Sequence, residues 1–391
     1  MTSAMILSGG GAYAAYEVGV MKALFHGECP ATGGTPFNPQ VFTGTSAGSF
    51  NAAIMVSQTG SDSSRNVEHL ETVWLNEIAD NPQKCGNGVF RFRGNVLTFF
   101  APGCLTPDPT LPFVQLAEDT THLAQDWLRR VLAFAVSTDS PVRRSLELID
   151  LMAFVSTEPF QRTLQRIISL NDIRASEKTL LIAATDWAVG EVKIFTKLDM
   201  TEPSGLKVIM ASSAIPGFFP PVEIDGHVYV DGGVLLNTPL SPAIDAGADV
   251  LHVTYLDPDV KNIPLARLNS TYDVFERALI VKMADTFDRD VENAKEINQG
   301  LALLERARRR EPFSDADLRA FIPVISRTSE HLKQNLPYRK LTIHRYHPKT
   351  DLGGALGLLD FGQARLASLI ELGYQDAVEH DCAESECVLP N

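Results

Sequence analysis

The chain has 391 residues, of which 45% are hydrophobic and 21% charged, an ordinary balance for a globular protein with a large core. Its net charge of −14 argues against nucleic acid as a partner and against unspecific adsorption to anionic membranes. No apolar run is long enough for a transmembrane helix, and the N-terminus lacks the charged region and cleavage site of a signal peptide. We therefore expect a cytoplasmic protein whose contact with membranes is at most peripheral.

The first predicted strand is followed directly by the triple glycine Gly9-Gly10-Gly11 and then by a predicted helix. A glycine loop between a strand and a helix points backbone N–H groups at an anion. The spacing Gly9-x-Gly11-x-x-Ala14 also fits a loosened dinucleotide fingerprint. That fingerprint needs a second strand ending in an acid about twenty residues on, and Glu28 lies instead in a loop-like stretch rich in proline and glycine. The loop is thus interpreted as an oxyanion site, with the dinucleotide site as the weaker alternative.

The motif Gly44-Thr45-Ser46-Ala47-Gly48 lies where a short buried strand gives way to a helix of small and apolar residues. A serine on such a turn is held in a strained conformation with its Oγ exposed, and the flanking glycines let neighbouring backbone pass closely. The helix N-terminus also stabilises negative charge. Ser46 is therefore the candidate nucleophile.

The candidate acid stands at the end of a predicted hairpin. Asp225-Gly226 is typical of a two-residue hairpin turn between two short apolar strands. Asp231-Gly232-Gly233 follows the second strand, and strand-end loops are where catalytic groups usually lie. A turn aspartate without catalytic function is the alternative reading of this motif taken alone.

The alternation of helices with apolar strands predicts α/β layers with a mostly parallel sheet, to which the hairpin adds an antiparallel pair. The predicted strands cover residues 4–8, 40–43, 179–185, 191–196, 222–230, 250–256 and 340–346. The predicted helices cover residues 13–25, 47–58, 63–79, 112–136, 142–154, 271–308 and 362–379.

Taken together, these motifs resemble the patatin-like phospholipase family. The resemblance is carried by Met5-Ile-Leu-Ser-Gly-Gly-Gly-Ala12, the Ser46 turn, Leu181–Asp186, Ala211-Ser-Ser-Ala-Ile-Pro-Gly-Phe-Phe-Pro-Pro-Val222, Asp231-Gly-Gly, Leu358–Phe361 and Leu372–Ala377. It implies a layered α/β/α fold: one domain over residues 1–380, with a helical insertion at about 85–170 and a C-terminal tail at 381–391.

The resemblance also implies a Ser-Asp dyad, with Ser46 as nucleophile and Asp231 as general base, and neither a metal nor another cofactor. The implied substrate is a lipid or phospholipid. Backbone amides of the loop and of the residue after the nucleophile would form the oxyanion hole, and further glycines would support the motifs: Gly9, Gly10, Gly11 and Ala47 for the hole, and Gly44, Gly48, Gly232 and Gly233 as support.

One position departs from the family pattern. The family usually has a cation two residues past the third glycine, followed by another glycine, and this chain has Tyr13 and Ala14 there. A positive charge close to the oxyanion is therefore missing unless Lys22 or a distant residue supplies it. We expect Tyr13→Arg to raise turnover, because a positive charge near a developing oxyanion lowers the barrier. The alternative is that Tyr13 simply packs on the first helix, where an arginine would only strain the loop.

Two other functions stay open. An α/β-hydrolase triad would need a histidine after Asp231, and a lipid-binding module without catalysis would need none of the dyad chemistry. His227, which precedes Asp231, is expected to face outward, and His252 to be a satisfied sheet residue. The histidines that follow Asp231 are His252, His331, His344, His347 and His380.

Three remaining features are given structural interpretations. The segment 89–101 interleaves aromatics with arginines, and a core segment with solvated arginines is favoured over a lid. The arginine run 306–310 is favoured as a helix C-cap over a phosphate site. The cysteines show no metal-ligand spacing and are interpreted as free thiols, although the last two could pair in a frayed tail: Cys29, Cys85, Cys104, Cys382 and Cys387.

Overall fold

The computed structural model describes residues 1–58, 63–81, 86–95, 110–136, 152–256, 291–292, 294–303, 305–306, 309, 339–350, 352–353 and 355–390. Several expectations lie outside these residues: helix over 142–151 and 271–290, residues 96–101 of the aromatic and arginine segment, most of the 306–310 arginine run, His331, Cys85 and Cys104.

The strands of the described residues are β1 (Ser3–Leu7), β2 (Val41–Thr45), β3 (Arg91–Phe92), β4 (Val155–Ser156), β5 (Thr179–Asp186), β6 (Glu191–Thr196), β7 (Val222–Ile224), β8 (His227–Asp231), β9 (Val250–Thr254) and β10 (Thr342–Tyr346). Eight of them form a central sheet in the order β10-β9-β1-β2-β5-β8-β7, with β6 also paired to β5. The first five run parallel, whereas β6, β7 and β8 join antiparallel. The predicted α/β class with a mostly parallel sheet is confirmed.

Helices cover both faces of this sheet. They are α1 (Ala15–His26), α2 (Ala47–Ser57), α3 (Ser63–Val73), α4 (Leu111–Val136), α5 (Glu158–Ile167), α6 (Leu170–Ala175), α7 (Gly205–Ser212), α8 (Leu240–Asp245) and α9 (Gln363–Val378), and residues 294–303 are also helical. No helix of the described residues is long and apolar enough to cross a bilayer.

Two hydrophobic cores lie on opposite sides of the sheet, because side chains alternate across a strand. Along β1, Met5 and Leu7 enter the larger core, which the helices α1, α2 and α9 complete. The intervening Ala4 and Ile6 enter the smaller core together with α8 and the buried face of β9. This is the layered α/β/α arrangement that the resemblance implies.

The strand pairing brings the ends of β2 and β8 together. On β5, Ala183 pairs with Thr45 of β2, and the next residue, Ala184, pairs with Asp231 of β8. Because β6 occupies the other edge of β5 at these residues, β2 and β8 share one edge and meet carboxyl end to carboxyl end. Ser46, the residue after β2, is therefore brought next to Asp231.

Most predicted elements are found, and their ends shift by a residue or two. The α-helix expected over 63–79 ends at Val73, and a π-helical turn, Trp74–Ile78, follows it. The predicted Asp-Gly hairpin is present between β7 and β8, with positive φ at Asp225 (51°) and Gly226 (82°). The short helices α5 to α8 were not predicted, since six to ten residues carry too little periodicity to stand out.

Two regions outside the central sheet have more structure than a helical insertion and a tail suggest. Within 85–170, the strands β3 and β4 pair antiparallel beside the helices α4 and α5. After α9, the chain folds back so that Val388 forms an antiparallel bridge with Ile343 of β10. The division of the chain into one domain with an insertion stays a prediction.

Candidate active site

Ser46 has the backbone of a strained turn between β2 and α2. Its φ of 54° and ψ of −127° are rarely adopted by a residue with a side chain, and such strain is typical of functional turns. The Ser46 N–H donates to Ser212 Oγ (2.9 Å), and the Ser212 hydroxyl donates in turn to the carbonyl of Ala183 (2.7 Å). Ser212 of α7 thus ties the turn to β5. Ser212 lies in the Ala-Ser-Ser motif that carries part of the family resemblance, but the motif alone does not indicate this role.

The two glycines of the motif are needed because backbone passes within contact distance of them. A Cβ at Gly44 would lie 2.4 Å from the carbonyl oxygen of Gly48, and a Cβ at Gly48 would lie 2.4 Å from that of Leu7. The start of α2 is therefore pressed against the ends of β1 and β2. This close approach sets Ser46 at the carboxyl ends of the parallel strands.

Asp231 is almost fully buried, at 4% exposure, and its backbone is fixed on both sides. Its N–H donates to the carbonyl of Ala214 (2.9 Å), and its carbonyl accepts from the hydroxyl of Thr185 (3.0 Å). The carboxylate Oδ1 accepts the N–H of Gly233 (2.7 Å). Gly232 has no room for a side chain, since a Cβ there would lie 2.4 Å from the carbonyl of Ala183.

The second carboxylate oxygen of Asp231 takes no part in the backbone contacts that hold this residue. Oδ2 is buried and has no well-aligned hydrogen-bond donor among the described residues. Burial raises the pKa of Asp231 to about 7, while the Ser46 hydroxyl and the Gly233 amide lower it. Ser46 therefore lies beside the carboxylate, although the two side chains do not form a hydrogen bond in this structure. Catalytic hydrogen bonds are often long until substrate binds.

The glycine loop passes directly beside the nucleophile. A Cβ at Gly9 would lie 3.0 Å from that of Ser46, yet the Gly9 N–H already donates to the carbonyl of Asn237 (3.2 Å). No backbone carbonyl of the described residues accepts from the amides of Gly10, Gly11 or Ala47, the last two of which begin helical turns. Gly9 therefore serves to hold the loop, and the other three amides are the ones that can bind an oxyanion.

A buried carboxyl group beneath the loop holds it in place, and no motif in the sequence indicates this role. Glu17 of α1 accepts from the N–H of Ser8 (2.8 Å), the hydroxyl of Thr254 (2.9 Å) and the side-chain amide of Asn51 (2.9 Å). Asn51 also accepts from the indole N–H of Trp74 (2.7 Å). Burial raises the pKa of Glu17 to about 8, although these hydrogen bonds lower it. A single side chain thus joins β1, β9 and α2 behind the site.

A cleft opens from the serine. Its empty volume is about 660 Å³, including its mouth. Gly11, Ser46 and Ala47 stand at one side, and nearly all the remaining wall is apolar: Phe50, Trp74, Ile78, Val89, Thr157, Phe160, Met210, Ser213, Ala214, Ile215, Phe219, Pro220, Val222, Leu359 and Phe361. An apolar cleft beside a nucleophile suits a substrate with a long hydrocarbon part.

Comparison with known proteins agrees with this arrangement. A family model for the patatin-like phospholipases matches residues 5–244, which include Ser46, Asp231 and the glycine loop. The chain belongs to the patatin-like phospholipase family. Among solved structures, it is similar to VipD from Legionella pneumophila, at 14% identity and a TM-score of 0.38, over 97% of this chain and 66% of VipD.

The position that departs from the patatin-like pattern is a packed one. Tyr13 is 5% exposed. Its hydroxyl oxygen lies so close to Gly357 that a Cβ added to this glycine would be only 2.0 Å away. Lys22 lies in an ion pair with Glu71 (2.7 Å) and so is engaged elsewhere. Tyr13 therefore packs against the segment before α9, and an arginine there would have to bury its charge in that space.

No histidine of the described residues hydrogen-bonds to Ser46 or Asp231, the candidate dyad of this patatin-like protein. His227 is exposed, as expected, and its Nδ1 lies 2.8 Å from Asp186 Oδ2. His252 is satisfied within the sheet, since its Nδ1 lies 2.9 Å from the hydroxyl of Tyr346. His347 Nδ1 faces the carbonyl of Pro348 (3.3 Å). Among the described residues, therefore, no histidine completes the serine, acid and histidine triad of an α/β-hydrolase.

The described part of the aromatic and arginine segment contributes to the cleft. Val89 lines it, and Phe90 is buried against Phe219 and Phe361. Arg91 is not simply solvated as expected, because it is paired with the buried Asp119 of α4 at 2.7 Å. This ion pair fastens α4 to the rim of the cleft.

Asp231→Asn should raise stability at neutral and alkaline pH. An aspartate is ionised above about pH 4 in the unfolded chain, whereas burial holds the pKa of Asp231 at about 7 in the folded protein. The native state then binds the proton more tightly, so stability falls as pH rises from about 4 to about 7 and changes no further above it. Asparagine still accepts from Gly233 and carries no charge. We expect the variant to gain up to a few kcal/mol at pH 8 and nothing at pH 4.

Urea unfolding of both proteins between pH 4 and 9 measures this gain. Asp245→Asn, at an exposed carboxylate in α8, is the matched control and should show no comparable gain. A loss of stability for Asp231→Asn at every pH would show that the carboxylate is held by favourable contacts and not against a desolvation cost.

Tyr13→Arg should lower both thermal stability and kcat/KM on a soluble ester, because it forces a charge into a packed site. Tyr13→Phe keeps the ring and is the matched control, with a much smaller effect on both quantities. If arginine instead raised kcat/KM at unchanged Tm, the packing account would be wrong and the missing-cation hypothesis would stand.

Proposed function

We propose that this protein is a lipid acyl hydrolase that cleaves fatty acyl esters of glycerolipids through an acyl-Ser46 intermediate. The observation that carries the proposal is the end-to-end meeting of β2 and β8, which sets Ser46 beside the buried Asp231 carboxylate, with Ser46 in the wall of an apolar cleft. Membership of a family that acts on lipids supports the substrate class.

In the acylation step, Asp231 Oδ2 takes the proton of the Ser46 hydroxyl as Oγ attacks the ester carbonyl carbon. A carboxylate with a pKa of about 7 is a far better base than an exposed aspartate. The carbonyl oxygen becomes an oxyanion, and the amides of Gly10, Gly11 and Ala47 stabilise it. The ester bond then breaks, and the alkoxide leaves with the proton held by Asp231.

In the deacylation step, water takes the place of the departed alcohol. Asp231 accepts a proton from this water, whose oxygen attacks the acyl carbon of acyl-Ser46. The same amides stabilise the second oxyanion. The bond to Ser46 Oγ breaks, the proton passes from Asp231 to Oγ, and the free fatty acid leaves. The reaction thus consumes one water and regenerates the dyad without a metal or cofactor.

The cleft fits the acyl chain, and one polar group in it is available to the ester. The hydroxyl of Ser213 lines the cleft and has no hydrogen-bond partner among the described residues. It can therefore bind the ester or the glycerol oxygens, while Phe50, Phe160 and Phe219 surround the hydrocarbon chain. Because buried polar groups without partners are rare in folded proteins, we expect the Ser213 hydroxyl to find its partner in the bound substrate.

Helix α4 provides the surface for peripheral contact with lipid. Trp127, Leu128, Leu132 and Val136 are each more than half exposed. The last three recur every four residues and so form one stripe of the helix, with Trp127 to the side of it. An exposed apolar stripe with an aromatic side chain is typical of a helix that lies in a membrane interface. The Arg91–Asp119 pair connects this helix to the rim of the cleft.

Ser46→Ala should abolish hydrolysis of p-nitrophenyl butyrate and labelling by a fluorophosphonate probe, because the acylated oxygen is gone. Ser57→Ala is the matched control: Ser57 is buried in the same helix and bonds only its own turn, so both signals should persist. Wild-type protein that binds lipid vesicles but shows neither turnover nor label would favour the lipid-binding module.

The pH dependence of kcat/KM should show an ascending limb near pH 7. Asp231 acts as a base only when ionised, and burial places its pKa at about 7. The rate of fluorophosphonate labelling should follow the same limb, since it depends on the same activated serine. A limb near pH 4 would mean that the base is a solvated carboxylate and not the buried Asp231.

The double variant Trp127→Ser/Leu132→Ser should lower hydrolysis of phosphatidylcholine vesicles at least severalfold and leave kcat/KM on a soluble ester unchanged. The substitutions remove apolar area from the interface without touching the cleft. Gln125→Ser, at an exposed polar position of α4, is the control. Equal losses on both substrates would assign the stripe to folding instead of lipid contact.

A further inference from the structure

The C-terminal segment is held against the edge strand of the sheet. Val388 is 3% exposed, and it exchanges two backbone hydrogen bonds with Ile343 of β10 (2.8 and 2.9 Å). The loop before it is closed by a bond from the N–H of Cys387 to the carbonyl of Cys382 (2.9 Å). The segment is therefore docked, and not frayed as the sequence suggested. This docking carries both cysteines to His344, the residue after Ile343.

Four ligand-type side chains converge there. One nitrogen or sulfur atom from each of His344, His380, Cys382 and Cys387 lies within 4.8 Å of all the others. The Cys382 Sγ lies 3.3 Å from His344 Nδ1 and 3.5 Å from His380 Nε2, and the Cys387 Sγ lies 3.4 Å from His380 Nε2.

These separations match the edges of a metal tetrahedron. With zinc–sulfur bonds of about 2.3 Å and zinc–nitrogen bonds of about 2.0–2.1 Å, a tetrahedral site has ligand-to-ligand distances of about 3.3–3.8 Å. The three measured pairs fall in this range, each joining a sulfur to an imidazole nitrogen. A single ion at the centre can thus reach all four atoms after small side-chain movements.

The surrounding groups fix the ligands in the required orientation. His344 stacks on His252 (4.7 Å between ring centroids), and His380 packs on Tyr346 (4.6 Å). The Ser385 hydroxyl lies 3.4 Å from His380 Nδ1, which turns Nε2 toward the sulfurs, as outer-shell partners of metal-bound histidines do.

We propose that His344, His380, Cys382 and Cys387 bind one zinc ion that fastens the C-terminal segment to β10. Two sulfur and two imidazole ligands in a tetrahedral set select zinc among the common divalent ions. Four protein ligands leave no open position, so the role is structural and not catalytic. Binding releases the two thiol protons to solvent, and the two thiolates balance the charge of Zn²⁺.

The same two thiols could instead form a disulfide, which would leave both histidines without a role. In the structure, Cys382 and Cys387 are free. Contrary to the expectation of thiols without metal-ligand spacing, Cys382-x₄-Cys387 lies at the upper limit of common zinc-ligand spacing, and His380 precedes Cys382 by two residues.

The test measures zinc in protein purified under reducing conditions without a histidine tag. Atomic emission should give one zinc per chain, and a mercurial that modifies thiols should release it. Cys382→Ser and Cys387→Ser should each reduce zinc to a small fraction. Cys29→Ser is the matched control, because Cys29 is a buried thiol outside the group of four and should leave zinc intact.

Cobalt substitution separates the ligand sets. Co²⁺ should give the intense visible bands of a tetrahedral ion and a thiolate charge-transfer band in wild type, and both should weaken in the two cysteine variants. Both variants alter only the segment beyond residues 5–244, so we expect the secondary structure to persist. Circular dichroism measures this. Metal-free wild type with two freely titratable thiols, or with a Cys382–Cys387 disulfide found by mass spectrometry, would overturn the proposal.

Discussion

The position of Ser46 next to Asp231 depends on the pairing along one edge of the strand β5. β5 pairs first with the end of β2 and then with the end of β8, so Ser46 and Asp231 meet although 185 residues separate them in the chain. The meeting place is buried, and the burial that raises the Asp231 pKa would make its carboxylate a usable base in the proposed reaction. Geometry and basicity thus have a common origin in the sheet pairing.

That origin has an energetic consequence. Asp231 is buried with one oxygen unsatisfied among the described residues, and Ser46 is held at a strained φ of 54°. Both features cost stability, and the surrounding network offsets them. Ser212 ties the Ser46 amide to β5, and Glu17 ties the loop strand to α2 and β9. Because burial raises its pKa to about 8, Glu17 fixes the glycine loop with less negative charge near neutral pH than an exposed glutamate would carry.

Two features of the fold lie outside the strands that position Ser46 and Asp231. On one side, the Arg91–Asp119 pair connects the exposed apolar stripe of α4 to the rim of the cleft. On the other, the C-terminal segment docks on β10 and assembles a group of two histidines and two cysteines. Neither feature lies in the strands that hold the dyad, so each can vary while the catalytic centre is kept.

The sequence by itself determined the class of fold, the Ser46 turn and the hairpin before Asp231, because short-range glycine and strand patterns encode them. It could not decide the role of Tyr13, which depends on a contact with Gly357, or reveal Glu17, whose partners lie on three other elements. His344 and Cys382 are 38 residues apart in sequence and become neighbours only when Val388 pairs with Ile343. Long-range pairing, burial and the pKa values that follow from burial exist only in the tertiary structure.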